Sequence, residues 1–297
     1  GDILVEIGPL FGKSTKNIVR GLLLNSQYNS KNCLYVYDSY EYNINHSFAQ
    51  RLIDLAKEGN VLDKLKKKSE YLIDFEHIFI HYLNSYIQSK NIISIKDKFT
   101  NVRPPENNAI ALIRLNLSKK YSNFKPILFR FFPQLKNKSI VVFDNFFSQW
   151  SASIMLVAGI LVNRGCLSII EPVESSLVCS IKKIPADTDL IEMDLIMQDV
   201  NQCLQFFDVI DSECKKTKIS QPETLLAVIV LAKIQWLYAR GKHGDAKDIL
   251  LEFFNNSNHL AVLKTTISPY LDLLGNGFSI DQMNKTKEKL YIPNNSQ

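Results

Sequence analysis

Ile3-Leu-Val-Glu-Ile-Gly-Pro-Leu-Phe-Gly-Lys-Ser14, followed by Leu34-Tyr-Val-Tyr-Asp38, decides how this chain is read. It reads as a buried strand, a glycine turn, a helix, and a second strand that ends in an acid. Such a unit builds a nucleoside pocket at the carboxyl ends of parallel strands. Gly8 and Gly12 answer separate needs, one a sharp bend with positive φ and the other a close approach that any Cβ would block. Asp38, at the end of the second strand, is placed to accept hydrogen bonds from a ribose diol. The spacing also bears on which nucleoside is meant. A nicotinamide fingerprint is G-x-G-x-x-G, whereas this turn is E-x-G-x-x-x-G-x-S, without the compact glycine triplet that cradles a pyrophosphate. A nicotinamide-dependent oxidoreductase is therefore disfavoured.

The pattern extends outward from this unit. Short β-branched runs alternate with helical ones from Ile3 to Ile184, as in a doubly wound α/β sheet. Strands are expected at Ile3 to Ile7, Leu34 to Asp38, Ile92 to Lys96, Ala109 to Asn116, Ile140 to Asp144, Cys166 to Glu171 and Leu177 to Ile184. Between the second and third lies an insertion far longer than an ordinary connection, residues 42–90. Its apolar positions, Leu52, Leu55, Ala56, Leu62, Leu65 and then Phe75, Ile78, Phe79, Tyr82, Leu83, Tyr86, recur at helical spacing. The insertion is read as helical, either covering an acceptor site or serving as a plain stabilising pair. After Pro185 the strands stop. Helices are expected over Asp189 to Cys214, Pro222 to Gly241, Gly244 to Asn255, His259 to Leu274 and Ile280 to Leu290, with Ser279 and Gln282 forming a capping box for the last. The second and third resemble one tetratricopeptide hairpin; an unrelated α-hairpin is the alternative. The expected organisation is an α/β domain over 1–185 and an all-helical extension over 186–297.

Composition narrows the classes. With 297 residues and 46% hydrophobic content the chain can bury one large core or two smaller ones. The net charge of +5 arises from 35 basic and 30 acidic residues, too even a mixture for a nucleic-acid partner. The run Lys64-Leu-Lys-Lys-Lys68 reads as a solvated helix face. Five scattered cysteines without a C-x-x-C pair indicate neither a disulfide framework nor a zinc site, and point to a reducing, cytoplasmic setting. The apolar runs Ile154 to Val162 and Leu225 to Ala232 fall short of the roughly 18 residues a membrane span requires, so no membrane partner is expected. The chain opens directly on a core strand, which suggests a segment cut from a longer polypeptide.

Further residues narrow the pocket reading. Ile110-Ala-Leu-Ile-Arg-Leu-Asn116, Tyr121, Phe131-Phe-Pro-Gln-Leu135 and Ile140-Val-Val-Phe-Asp-Asn145 follow the opening unit in order. Together with it, over about residues 3 to 184, they resemble the macrocin O-methyltransferase (TylF-type) family of class I methyltransferases. The resemblance implies a Rossmann-like seven-stranded methyltransferase sheet with helices on both faces. It also implies transfer of a methyl group from S-adenosylmethionine to a hydroxyl of a sugar or natural product, with a divalent metal held by carboxylates. On that resemblance Glu6, Gly8, Pro9, Gly12, Ser14, Asp38, Ser39 and Phe99 fall on the cofactor side, though Asp97 stands where the family usually has glycine.

The departures sit on the catalytic side. Asn116 replaces the acid of the R-L-D strand, Ser118 a second acid, and Asp144-Asn145 a pair of acids. A hard cation is held by anionic oxygens, so no divalent metal is expected. Methylation of a hydroxyl requires in-line alignment and an activated oxygen, and an amide cannot accept the proton. Asp144 or a histidine has to act, with His77 and His81 of the insertion as candidates; surface histidines on an amphipathic helix are the plain alternative. Asn116, Asp144 and His81 are thus the catalytic candidates. Two readings stay open: an S-adenosylmethionine-dependent O-methyltransferase acting on a small-molecule or glycan acceptor, and a lapsed methyltransferase-like domain serving as a binding or scaffolding module of a larger polypeptide. Self-association as a homodimer and contacts to further domains are both open.

Overall fold

Ile3, Val5 and Ile7 point to one side of their strand and Leu4 and Glu6 to the other, and that alternation divides the core into two layers. The computed structural model describes residues 2–26, 33–45, 47–106, 108–116, 120–148, 150–217 and 222–256. The first strand, β1 (Ile3–Ile7), is followed by α1 (Lys13–Leu24) and β2 (Leu34–Asp38). The insertion holds β3 (Glu41–Asn43), α2 (Ser47–Glu58), β4 (Lys66–Ser69), β5 (Leu72–Asp74) and α3 (Glu76–Gln88). Next come β6 (Ile92–Lys96), β7 (Ile110–Leu115), α4 (Tyr121–Phe131), β8 (Leu135–Phe143), α5 (Ala152–Asn163), β9 (Leu167–Val173) and β10 (Ser176–Ile181). The described chain ends with α6 (Asp187–Ile196), α7 (Val200–Lys215), α8 (Pro222–Tyr238) and α9 (His243–Asn256).

The seven strands expected from sequence form one sheet in the order β6-β2-β1-β7-β8-β10-β9. Five run parallel, and β10 runs antiparallel between β8 and β9. The chain moves outward from β1 to β2 and β6, then returns to lay β7 on the other side of β1. A topological switch point therefore lies between β1 and β7, where open α/β sheets offer a crevice at the carboxyl ends of their strands. One face of the sheet is covered by α1, α2 and α3 through Val19, Leu52, Ile78, Phe79 and Leu83. The other is covered by α4, α5 and α7 through Phe124, Phe131, Leu156, Ile160, Phe206 and Phe207.

Three expectations are corrected. The insertion is not wholly helical: β3, β5 and β4 form a separate three-stranded antiparallel sheet. Ile73 pairs with Tyr42 and is buried in the same core as α2 and α3, which anchors strands too short to show a period of their own. Lys66 to Lys68 lie in β4, at the edge of that sheet and solvated, not on a helix; lysines on an edge strand discourage further strand pairing. Residues 189–214 form two helices, because Asp199 caps α7, its carboxylate accepting from the Asn201 and Gln202 amides at 2.9 and 3.1 Å.

Leu190, Met193, Phe206, Phe207, Val228 and Trp236 of the later helices share one continuous core with the sheet. The change expected near residue 185 is one of secondary-structure type, while the core runs across it. Beyond it α8 and α9 pack as a hairpin through Ala227, Leu231, Ile234, Leu237, Ala246 and Leu250. The expected helices from 259 onward and the Ser279 capping box lie outside the described residues. Among the described residues no helix is long and apolar enough to cross a membrane. All five cysteines are buried and free.

Candidate functional site

Strand register assembles the first half of the site. Glu6 pairs with Arg114 across β1 and β7, and since Ile113 and Leu115 turn into the α4 and α5 layer, Arg114 emerges on the same side as Glu6. There α1 begins, and the Glu6 carboxylate accepts from Ser14 Oγ at 2.6 Å and Thr15 Oγ1 at 2.5 Å. Glu6 has none of its surface exposed, so its charge requires a partner. Arg114 supplies it at 2.7 Å, and the start of α1 adds its positive dipole end.

Arg114 continues across the switch point. Its second guanidinium nitrogen reaches Asp144, just beyond β8, at 2.6 Å, and the other Asp144 oxygen accepts from Ser176 Oγ at 2.7 Å. Beside it, Asn145 Nδ2 donates to Asn116 Oδ1 at 3.1 Å, and Asn116 Nδ2 donates to the Gly8 carbonyl at 3.0 Å. The Asn145 carbonyl accepts from Ser151 Oγ at 2.7 Å. Asn116 therefore works as a donor here, a role an ionised aspartate has no proton to fill.

On the nucleoside side, Gly8 and Gly12 have φ of 80° and 84°. A Cβ at Gly8 would stand 2.0 Å from the Asn116 carbonyl oxygen, and one at Gly12 would stand 2.6 Å from Leu83 and 3.1 Å from Phe79 of α3. Both glycines are thus required by the protein's own packing. Pro9 is buried in the same turn and accepts from the Gly12 amide. Asp38 is 4% exposed and accepts from the Tyr40 amide at 2.9 Å, with the Leu10 and Ser39 amides also directed at it. Burial pushes its carboxyl up to about 6, opposed by those amide dipoles and reinforced by the nearby charge of Glu6. Ser39 Oγ faces the Glu41 amide at 3.4 Å. Phe99 packs against the main core beside the α4 layer.

The structure thus brings Glu6, Gly8, Pro9, Gly12, Ser14, Asp38, Asn116 and Asp144 together at one end of the sheet. It does not bring His81 to them. His77 and His81 lie on the exposed face of α3, while Ile78, Phe79 and Leu83 turn inward, and His81 touches the Tyr82 ring. Among the described residues no hydrogen bond or ion pair joins His81 to Asn116 or Asp144, and α3 covers a face of the sheet in the manner of a stabilising helix. Ser118 lies outside the described residues. No group of three His, Cys, Asp or Glu among the described residues is placed to hold a metal ion. Sequence reading missed Arg114, Thr15 and Ser176; the signal for Arg114 was a lone charge within the apolar strand Ile110-Ala-Leu-Ile-Arg-Leu115.

Measured against S-adenosylmethionine, these residues have the right places and the wrong engagements. Both glycines already accommodate protein atoms, and backbone amides already address the acid expected to receive the ribose diol.

No protein-family model and no curated protein sequence matches the chain. Among solved structures it is similar to the O-methyltransferase NovP, with 14% identity, a TM-score of 0.40, and coverage of 62% of this chain and 73% of that one. It is similar to CalS11, a TDP-rhamnose 3'-O-methyltransferase of calicheamicin biosynthesis, with 16% identity, a TM-score of 0.39, and coverage of 61% and 71%. It is also similar to the StiE O-methyltransferase, with 10% identity, a TM-score of 0.34, and coverage of 82% and 74%.

Proposed function

We propose that this chain is a methyltransferase-fold domain that has given up transfer chemistry and works as a binding or scaffolding module, as part of a larger polypeptide. One observation carries this reading: every oxygen-bearing side chain described on the reaction edge is already engaged. Asp144 is held through both oxygens by Arg114 and Ser176, and Asn116 lies between Asn145 and Gly8. A general base needs a basic lone pair within reach of the hydroxyl it activates, and a carboxylate bonded on one oxygen by a guanidinium and on the other by a hydroxyl is held in place and made less basic. The helices after Pro185 supply the contact surface in this reading.

A second reading is favoured by the cofactor side. Glu6, Ser14 and Asp38 stand at one sheet edge in the order that an S-adenosylmethionine-dependent O-methyltransferase of sugar or natural-product hydroxyls requires, and among the described residues no cation pairs with Asp38.

Calorimetry with S-adenosylhomocysteine, with and without Mg²⁺, separates the two. The module reading predicts no saturable heat up to millimolar nucleoside in either condition. Micromolar binding that disappears in Asp38→Ala would overturn it in favour of the second.

A further inference from the structure

Exposed aliphatic side chains and uncompensated cations meet where α6 turns into α7. On α6, Leu190 and Met193 turn into the main core, while Ile191 and Leu195, one turn apart on the other side, are 54% and 62% exposed. Leu195 leads into a groove of about 480 Å³ between the α6–α7 elbow and the start of α9, whose other lining residues are Gln198, Asp199, Val200, Asn201 and Lys242.

The charges around this groove are one-sided. Asp189 and Glu192 of α6 are held by Arg164, and Asp194 by Lys125 at 2.7 Å. Asp187 lies at the amino end of α6, about two turns from Leu195. Asp199, on the rim, directs its carboxylate to the Asn201 and Gln202 amides. Of the nearby cations, Lys233 pairs with Asp208 at 3.0 Å, whereas among the described residues Arg240 and Lys242 pair with no acid. Arg240 lies over the Trp236 ring and donates to the Trp236 carbonyl at 3.4 Å, so its guanidinium is held in place without a countercharge. Its charge bears on Cys203, just past Asn201 on α7, which puts it on the groove's side of the α8–α9 turn. Lys242 immediately precedes α9, whose amino end adds its positive dipole.

We propose that this groove docks an acidic amphipathic segment of a partner protein, its apolar side chains set on Ile191 and Leu195 and its carboxylates facing Lys242 and Arg240. Exposed aliphatic side chains gain by being covered, and charge decides what covers them. A second copy seated on the same face in a two-fold contact brings Lys242 and Arg240 towards their own equivalents, and a neutral segment leaves both uncompensated. The proposal rests on the module reading only in taking the helices after Pro185 as the contact surface; the crevice and its chemistry play no part in it.

Fluorescence anisotropy with the full chain tests this. The probe is a fluorescein-labelled amphipathic peptide of leucine and glutamate, about 18 residues long, beside a leucine and lysine peptide and a glycine and glutamate peptide of the same length. The leucine and glutamate peptide is expected to bind saturably below about 100 μM, and each control at least about tenfold more weakly. Added salt should weaken the binding. Leu195→Ser and Lys242→Glu, both at exposed positions, should each cost about tenfold in affinity, and Arg240→Gln about threefold. A Lys66→Glu, Lys67→Glu double variant changes the charge of β4 without touching the groove and should bind like the wild type. No saturable binding, equal binding of the glycine and glutamate peptide, or an equal loss in the β4 variant overturns the proposal, the last two by reducing the attraction to nonspecific charge. Self-association in sedimentation equilibrium that Leu195→Ser abolishes, with no peptide bound, assigns the face to a second copy and overturns it as well. Calorimetry with S-adenosylhomocysteine is read separately, so this site and the module reading can fail independently.

Discussion

The two edges of the crevice treat the same residue type in opposite ways. Across the switch point, Glu6 on the nucleoside side and Asp144 on the reaction edge share one guanidinium, and hydroxyls engage their other oxygens. At the nucleoside edge, Asp38 is buried too, yet among the described residues it receives amide dipoles and no cation, with the charge of Glu6 near it. An acid at the carboxyl end of a strand is therefore no functional signal by itself. With a cation beside it, it is a strut; without one, it is a cost that protonation or solvent has to relieve.

The largest effect should come from breaking the compensated side. Arg114→Met leaves Glu6 buried with no countercharge, and removal of one partner of a buried pair costs about 3–5 kcal/mol. Chemical denaturation reads this directly. A loss below about 1 kcal/mol would show that Glu6 reaches water and that the two edges do not differ.

Asn116→Asp probes the boundary between the edges. It replaces the amide donor with an acceptor facing the Gly8 carbonyl, for an expected loss of about 2 kcal/mol from an unsatisfied and repelled pair. The same denaturation repeated with Mg²⁺ sharpens the comparison. Stability restored by the metal would mean that the reaction edge is an eroded metal site; no restoration is expected.

Asp38→Asn should have the opposite sign and the smallest size. Because burial raises the folded carboxyl to about 6, its stabilising contribution is complete below the unfolded value near 3.8 and is lost as pH rises through 6. The wild type should therefore weaken between pH 4 and 7.5 relative to the variant. At pH 7.5 the asparagine form is expected to be more stable by about 1–2 kcal/mol, below the ceiling of about 3 that two pKa units allow. Thermal unfolding at the two pH values checks it, and a variant less stable at pH 7.5 would place Asp38 among the compensated acids.

The sheet was legible because its strands carry their own evidence. Ile3 to Ile7 and Leu34 to Asp38 are runs buried on both faces, Ile92 to Lys96 is a β-branched run half-buried at the sheet edge, and the structure has all three at the same bounds. The small sheet of the insertion was not legible, since strands of three or four residues have no room for a period and β4 is all lysine and serine. The elbow before α7 was present in the sequence as Asp199 followed by Asn201 and Gln202, but an apolar period running on both sides masked the cap. Within the site, strand ends and spacing gave the positions of Glu6, Gly8 and Asp38, and the family resemblance those of Asn116 and Asp144. The state of Glu6 and Asp144 was hidden, because it depends on Arg114, distant in the chain and brought alongside only by the β1–β7 register.

Methyl transfer itself tests the central claim most directly. The wild-type chain would be incubated with S-adenosylmethionine carrying a labelled methyl group and a panel of sugar-nucleotide and phenolic acceptors, with and without Mg²⁺, beside an Asp144→Asn variant. We predict no labelled product above the protein-free background from either chain. Product formed by the wild type and lost in Asp144→Asn would contradict this account, since it would mean that Asp144 leaves its clamp to act on substrate.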